Sequence, residues 1–395
     1  MRRSALGKGP IQNLDDTALV RRMVGALPEP SASGRGRANE WLARVARTAS
    51  GKALKALVGR YPALTSLMGG IAETAPYLWD LVQADPARAL RLLSRDPDAE
   101  FAALLSKARN AAAVPGTAEL MRALRCLKAE AALLVALADI GGVWPVARVT
   151  AALTDFAETA LGVAVRHLLA EAAQRDKLVL PDSQNPEAGS GYIVLAMGKL
   201  GAHELNFSSD IDLMVFFDAS AATLAPDLEP ASFYVRMTRE LMKLMQQRTA
   251  DGYVFRVDLR LRPDPASTQI AISTEAALDY YESRGQNWER AALIKARPCA
   301  GDRAAGEHLL RDLSPFIWRK FLDYAAVADV HAMKQQIHAY RGHGEIAVEG
   351  HNVKLGRGGI REIEFFVQTQ QLIAGGRHQE LRGHSTVATL AALTA

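Results

Sequence analysis

Asp210 and Asp212 stand two residues apart in an otherwise apolar run, residues 191–218, GYIVLAMGKLGAHELNFSSDIDLMVFFD. In a strand, residues i and i+2 share a face. The two carboxylates would then project together while Ile211 and Leu213 turn into a core. Neighbouring carboxylates repel unless a cation stands between them. The usual one is a divalent metal, most often Mg2+, acting with a phosphate-bearing substrate. The competing reading is an edge strand carrying solvated acids. A third acid, Asp258, sits in the alternating stretch 253–263, YVFRVDLRLRP, with Phe255, Val257, Leu259 and Leu261 on one face and Arg256, Asp258, Arg260 and Arg262 on the other. Beside Asp210 and Asp212 it would complete a two-metal site, and Arg260 and Arg262 would offset phosphate charge. Alone, the stretch also fits an exposed sheet face with ordinary ion pairs.

The elements that must position these acids are legible around them. Residues 192–197 form a short apolar run that predicts a buried strand, and Gly198, Lys199, Leu200 and Gly201 follow as a turn. Gly198, Lys199 and Gly201, with Ser208 and Ser209 just before the first acid, are candidates to bind phosphate oxygens through backbone amides, charge and hydroxyls. The predicted order is strand, glycine turn, short connection, and a strand carrying Asp-x-Asp. Residues 232–247 have the spacing of an amphipathic helix.

Two later stretches carry further cations. In 281–298, YESRGQNWERAALIKARP, Trp288, Ala291 and Ala292 have helical spacing, and Lys295 and Arg297 follow before Pro298. They would hold nucleotide phosphates if that end faces the site, or cap a solvated helix end if it does not. In 353–368, VKLGRGGIREIEFFVQ, Gly356, Gly358 and Gly359 precede a helix with Arg357 and Arg361 interleaved, and Ile360, Ile363, Phe366 and Val367 share one face. A helix amino end flanked by cations suits an anion; a glycine turn built for packing is the alternative. Trp144, Trp288 and Trp318 are most simply core residues.

Taken together, the Gly-Lys-Leu-Gly turn, residues 204–212 (ELNFSSDID), residues 257–263 (VDLRLRP) and the two later stretches resemble glutamine synthetase adenylyltransferase, the bifunctional enzyme that attaches AMP to a tyrosine of glutamine synthetase and removes it. The resemblance covers about residues 190–376. It implies an α+β chain with a polymerase-β-type nucleotidyltransferase domain, built on a small mixed sheet and flanked by predominantly helical amino- and carboxy-terminal regions. The regions expected are 1–115, helical with a flexible start, 116–315, the nucleotidyltransferase domain, and 316–395, a helical accessory region. Family members carry two such domains in tandem. One set of motifs in 395 residues resembles the amino-terminal half. In the family that half removes AMP by phosphorolysis, releasing ADP. The implied cofactor is Mg2+ held by Asp210, Asp212 and Asp258. The implied partners are glutamine synthetase, nucleotide, inorganic phosphate and the PII signal protein. Gly198-Lys199 replaces the superfamily's usual Gly-Gly or Gly-Ser, so Lys199 is expected to contribute charge. The stretch 353–368 is also similar to the uridylyltransferase that acts on PII. The alternatives are therefore a uridylyltransferase-like enzyme and a non-catalytic module binding glutamine synthetase or PII.

Composition bounds the rest. Hydrophobic residues make up 49%, enough for sizeable cores, and no apolar run reaches the roughly 18–20 residues of a membrane span. Cys126 and Cys299 give neither a disulfide framework nor metal-ligand spacing, and the basic start lacks an apolar signal core. A cytoplasmic protein is expected. The net charge of +4 suits anionic substrates without reaching a nucleic-acid footprint. Short helices punctuated by Pro62, Pro76 and Pro86 are expected early, two or three more over 117–177, a polar loop over 181–190, and helix again from about Phe316. The helix-like ending STVATLAALTA predicts that Ala395 is a cut end.

Overall fold

The computed structural model describes residues 14–24, 27–319, 349–354 and 356–394. The start expected to be flexible lies outside them over residues 1–13, and the helical region expected after Phe316 lies outside them over 320–348. Packing divides the chain into two units. Met1–Ala160 with Ala250–Val254 form one, and Leu161–Thr249 with Phe255–Ala395 form the other. The chain thus parts at 160/161 and again on either side of residues 250–254.

The first unit is helical among its described residues. Pro62, Pro76 and Pro86 each open a helix at its first turn (Pro62–Thr74, Pro76–Ala84, Pro86–Ser94), where a missing N–H costs nothing. Ser31, Thr48 and Asp85 cap helix starts by accepting from the amides of Gly34, Gly51 and Arg88. Leu54 and Leu57 are fully buried, and Trp41 meets Trp79 edge-to-face with centroids 5.2 Å apart. Trp144 is buried as expected. Thr117–Ile140 and, as far as Ala160, Val146–Gln174 are the two long helices of the 117–177 stretch.

The second unit holds the sheets. Its strands are β1 (Leu178–Val179), β2 (Tyr192–Ala196), β3 (Ile211–Phe217), β4 (Thr223–Leu224), β5 (Val257–Asp258), β6 (Ile272–Ser273) and β7 (Arg297–Gly301). β1 and β4 pair alone. The main sheet runs β5-β3-β2-β7, with β6 also paired to β3. β2 is antiparallel to β3 and β7, while β5 and β6 run parallel to β3, so the sheet is mixed. Every residue of β2 is buried, and Ile211 and Leu213 are fully buried on β3, as their alternation with the acids demands. The amphipathic helix is Pro230–Gln246. It docks through Tyr234, whose hydroxyl donates to the Ser190 carbonyl at 2.8 Å, and Thr238, bonded to the Tyr192 hydroxyl at 2.9 Å. No helix among the described residues is long and apolar enough to cross a membrane.

Three local expectations are corrected. Of the alternating stretch 253–263, only Val257–Asp258 forms a strand. Asp258 accepts from the Arg260 amide at 2.9 Å, an Asx-type turn that competes with ladder bonding. Arg262 then ties the following bend by donating to the carbonyls of Leu259, Pro265 and Thr268. The glycine turn is instead one turn of helix, Gly198–Gly201. Trp288 is 39% exposed rather than core, because the inner positions of its short helix are taken by Glu289, Arg290 and Leu293.

Candidate active site

Asp212 and Asp258 are register partners across β3 and β5, one step on from the pair Ile211 and Val257. Asp210 lies just before β3, where the pairing is extended by the Ile211 amide donating to the Arg256 carbonyl at 2.9 Å. The three acids therefore share one end of two adjacent strands. Their charges reach one another. Burial first, then the charges of Asp258 and Asp210, push the Asp212 carboxyl up to about 6, against the pull of Arg260 and Lys354.

The two flanking acids are engaged by arginines. Arg256 donates from Nε to Asp210 Oδ1 at 2.5 Å and from Nη2 to the Ser208 carbonyl at 2.7 Å. Arg260 takes Asp258 through both oxygens, Nη2 to Oδ2 at 2.5 Å and Nε to Oδ1 at 3.0 Å, and these bonds hold Asp258 below the usual carboxylate range. With those side chains so turned, no group of three acidic, imidazole or thiol residues among the described residues is arranged to hold a metal ion. The chemistry of the donors still fits a hard cation: two register-paired carboxylates, a third beside them, and one of the three already penalised for its charge.

Gly198 closes the site from the β2 side. Its φ is +53°, and a Cβ there would stand 2.8 Å from Asp212 Oδ2. The position needs glycine both for its backbone and for the approach of the carboxylate. Lys199 is half-buried in the same turn. Ser208 is exposed with φ +57°, and the Ser209 hydroxyl bonds the Asn206 side chain.

Other residues proposed from the sequence are placed differently. A Cβ on Gly201 would meet the Lys295 carbonyl at 1.9 Å, so this glycine serves close backbone packing. Lys295 is buried, its Nζ 3.1 Å from Glu364 Oε1 and 3.2 Å from Thr386 Oγ1. Arg297 donates to the carbonyls of Gly201 and Leu200, both at 3.0 Å. Arg262 holds the bend already described. In the same stretch as Lys295, Glu289 is fully buried and accepts from the Gln286 amide, while Arg290 donates to the carbonyls of Phe316 and Ile317.

Arg357 and Arg361 are exposed beside the helix Ile360–Ala374. The amino end of that helix is closed on its own chain. The amides of Ile360 and Arg361 donate to the carbonyls of Val353 and Lys354, and the Gly358 amide donates to Glu362. Val367 is buried, but Ile360, Ile363 and Phe366 are exposed, so the apolar face expected there splits. Lys354 is a residue of this stretch whose charge acts on Asp212. Sequence reasoning singled out neither Lys354 nor Arg256 individually. The signals were present: Arg256 alternates with Asp258, and Lys354 opens the glycine stretch.

The family model for glutamate-ammonia ligase adenylyltransferase matches residues 65–312, which include β1 to β7 and the three acids. The chain belongs to the glutamate-ammonia ligase adenylyltransferase family. It is similar to proteins named bifunctional glutamine synthetase adenylyltransferase/adenylyl-removing enzyme. The one from Bradyrhizobium diazoefficiens is 62% identical over 355 residues, covering 90% of this chain and 36% of that protein. Those from Rhodopseudomonas palustris and Xanthobacter autotrophicus are 59% and 58% identical, covering 90% and 87% of this chain and 36% and 35% of theirs. The chain thus spans about a third of the length of these adenylyltransferase relatives. A second family model, GlnD PII-uridylyltransferase, matches residues 330–395, the segment that carries Lys354.

Proposed function

We propose that this chain removes AMP from an adenylylated tyrosine of glutamine synthetase by phosphorolysis, releasing ADP, as part of a bifunctional adenylyltransferase and adenylyl-removing enzyme. The observation that carries the reading is the register pairing of Asp212 with Asp258, with Asp210 beside them at the strand end. The family match supports nucleotidyl transfer. The single set of three acids, in a mixed sheet within the 116–315 span, supports a nucleotidyltransferase domain of polymerase-β type.

In this reading Asp210, Asp212 and Asp258 would hold Mg2+. The bound ions would neutralise the phosphates and the developing phenolate charge during in-line displacement. The chain's own residues bind and orient. Gly198 lets the AMP phosphate approach the turn after β2. Lys199 and Lys354 offset its charge. Arg256 and Arg260, released from their carboxylates, turn to phosphate oxygens. An oxygen of inorganic phosphate attacks the AMP phosphorus, the bond from phosphorus to the tyrosine oxygen breaks, and the tyrosine takes up a proton. Phosphate is nucleophilic at neutral pH, so no strong general base is required. The phenol, with a pKa of about 10, is the group whose departure needs help.

The experiment is to incubate the chain with adenylylated glutamine synthetase, phosphate and Mg2+ and to measure ADP. Release by the parent and its loss in Asp210→Asn is the expected result; undiminished release by the variant would remove these acids from the chemistry. A second reading, uridylyl transfer, is favoured by the match of residues 330–395 to a PII-uridylyltransferase model. PII is its protein partner and UTP its nucleotide, and preferential binding of UTP over ATP and ADP would select it. Retained binding of glutamine synthetase or PII without any turnover would instead indicate a binding module. In every reading the partners proposed are cytoplasmic, with no role for nucleic acid or membrane.

A further inference from the structure

Alongside β7, the edge strand of the main sheet, lies a cleft of about 540 Å³ in a size range typical of small-ligand sites. The acids of the candidate active site take no part in it. Arg297, Arg311 and Arg382 line it, with Glu307, His384 and Trp318 among the other residues. Three arginines and a single glutamate are among the lining residues, so the lining is cationic.

Two of the three arginines are fixed in advance. Arg297 is anchored on the Leu200 and Gly201 carbonyls. Arg382 donates to the Gly375 carbonyl at 2.6 Å and stacks over the Trp318 ring, 5.4 Å from its centroid. Arg311 is exposed on the helix Arg303–Asp312, and its guanidinium has no hydrogen bond or ion pair among the described residues. His384 bonds through Nδ1 to the Ile294 carbonyl at 2.9 Å. A carbonyl can only accept, so Nδ1 carries the proton and Nε2 is left as an acceptor. Trp318 packs against the buried core cluster and supplies an aromatic wall. Guanidinium forks match the paired oxygens of an oxyanion, and anchored donors lose little freedom when they bind one.

We propose that this cleft is a binding site for a small organic oxyanion, a carboxylate or phosphate head carried on a compact apolar body. The head sits among the three arginines, and the body lies against Trp318.

Calorimetric titration of the full chain at low ionic strength tests it, with benzoate and phenyl phosphate as the two head chemistries and benzamide as the neutral control. Saturable binding of at least one anion, at least tenfold tighter than benzamide, is expected. The stronger of the two identifies the head. Arg311→Glu should weaken that binding at least tenfold. Glu307→Gln, which removes the carboxylate from the lining, should strengthen it. Absence of saturable binding, indifference to head charge, or affinity unchanged in both variants overturns the proposal. Because Arg311 and Glu307 both point from an exposed helix surface, their variants report on the cleft without disturbing the core.

Discussion

Asp212 faces Asp258 across the parallel strands β3 and β5, and Arg260 grips Asp258 through both carboxylate oxygens. The pair is thus asymmetric. One acid has its counter-charge in place, and the other is held half-buried against two like charges.

That asymmetry predicts a trade between stability and activity at Asp212. Freed of divalent cations, Asp212→Asn should melt at a higher temperature than the parent, since the amide ends both the repulsion and the cost of a buried charge. ADP release should fall on the order of 100-fold. Scanning calorimetry in a chelator, beside the turnover assay, checks both; a lower melting temperature for the variant would mean that the carboxylate is stabilised where it stands.

Arg260 occupies the oxygens that a cation would need, so Arg260→Ala should bind Mg2+ or Mn2+ more tightly than the parent. Direct titration of the metal reads this. Equal or weaker affinity would show that the arginine does not compete for Asp258.

At Gly198, alanine meets two obstacles, a left-handed backbone and a carboxylate oxygen 2.8 Å from the new Cβ. Gly198→Ala should cost roughly 1–2 kcal/mol from the backbone alone. Turnover should drop further because Asp212 must move. Denaturant melts and ADP release measure the two parts, and a fully active, equally stable variant would contradict the packing described.

Lys295 separates two readings of the same cation. Buried against Glu364, it should cost on the order of 3 kcal/mol when changed to Met, because the carboxylate is left unpaired. The double change Lys295→Met with Glu364→Gln should recover much of that. The KM for phosphate should stay near the parent value in any variant that folds; a large rise in KM with intact stability would return Lys295 to the phosphate site.

How far the sequence reaches is clear from these residues. The alternation around Asp210 and Asp212 specifies which side chains enter the core, because period two leaves no freedom once one face is buried. Ile211, Leu213 and β2 therefore follow from the pattern alone. The pairing of Asp258 with Asp212 rests on a parallel contact more than forty residues distant, which resemblance suggested and local periodicity did not contain. The cations were least legible. Lys295 and Arg297 have the same composition signal whether they meet a phosphate, a buried Glu364 sixty-nine residues on, or a carbonyl ninety-six residues back. Arg357 and Arg361 likewise flank a helix end that Val353 and Lys354 already close.

His384 gives a pH signature. Burial, with Arg297 adding to it, lowers its pKa below the ordinary 6.5, against the raising effect of the bond to Ile294. The unfolded chain then takes up the proton first, so stability falls as pH drops below about 6.5. His384→Asn places an amide donor near Nδ1 without a titrating group. Its melting temperature should gain on the parent between pH 7.5 and 5. Parallel curves over that interval would leave His384 without this role.

Glu204, in the loop between β2 and β3, accepts from the Thr386 amide and the Ser385 hydroxyl, at 2.8 and 2.9 Å across 182 and 181 residues. During synthesis the ribosome must therefore add those residues after the loop emerges before its anchor exists. At usual elongation rates that interval is roughly 10–35 s. For that time the nascent strands must wait, with the connection that leads into the acids still untethered.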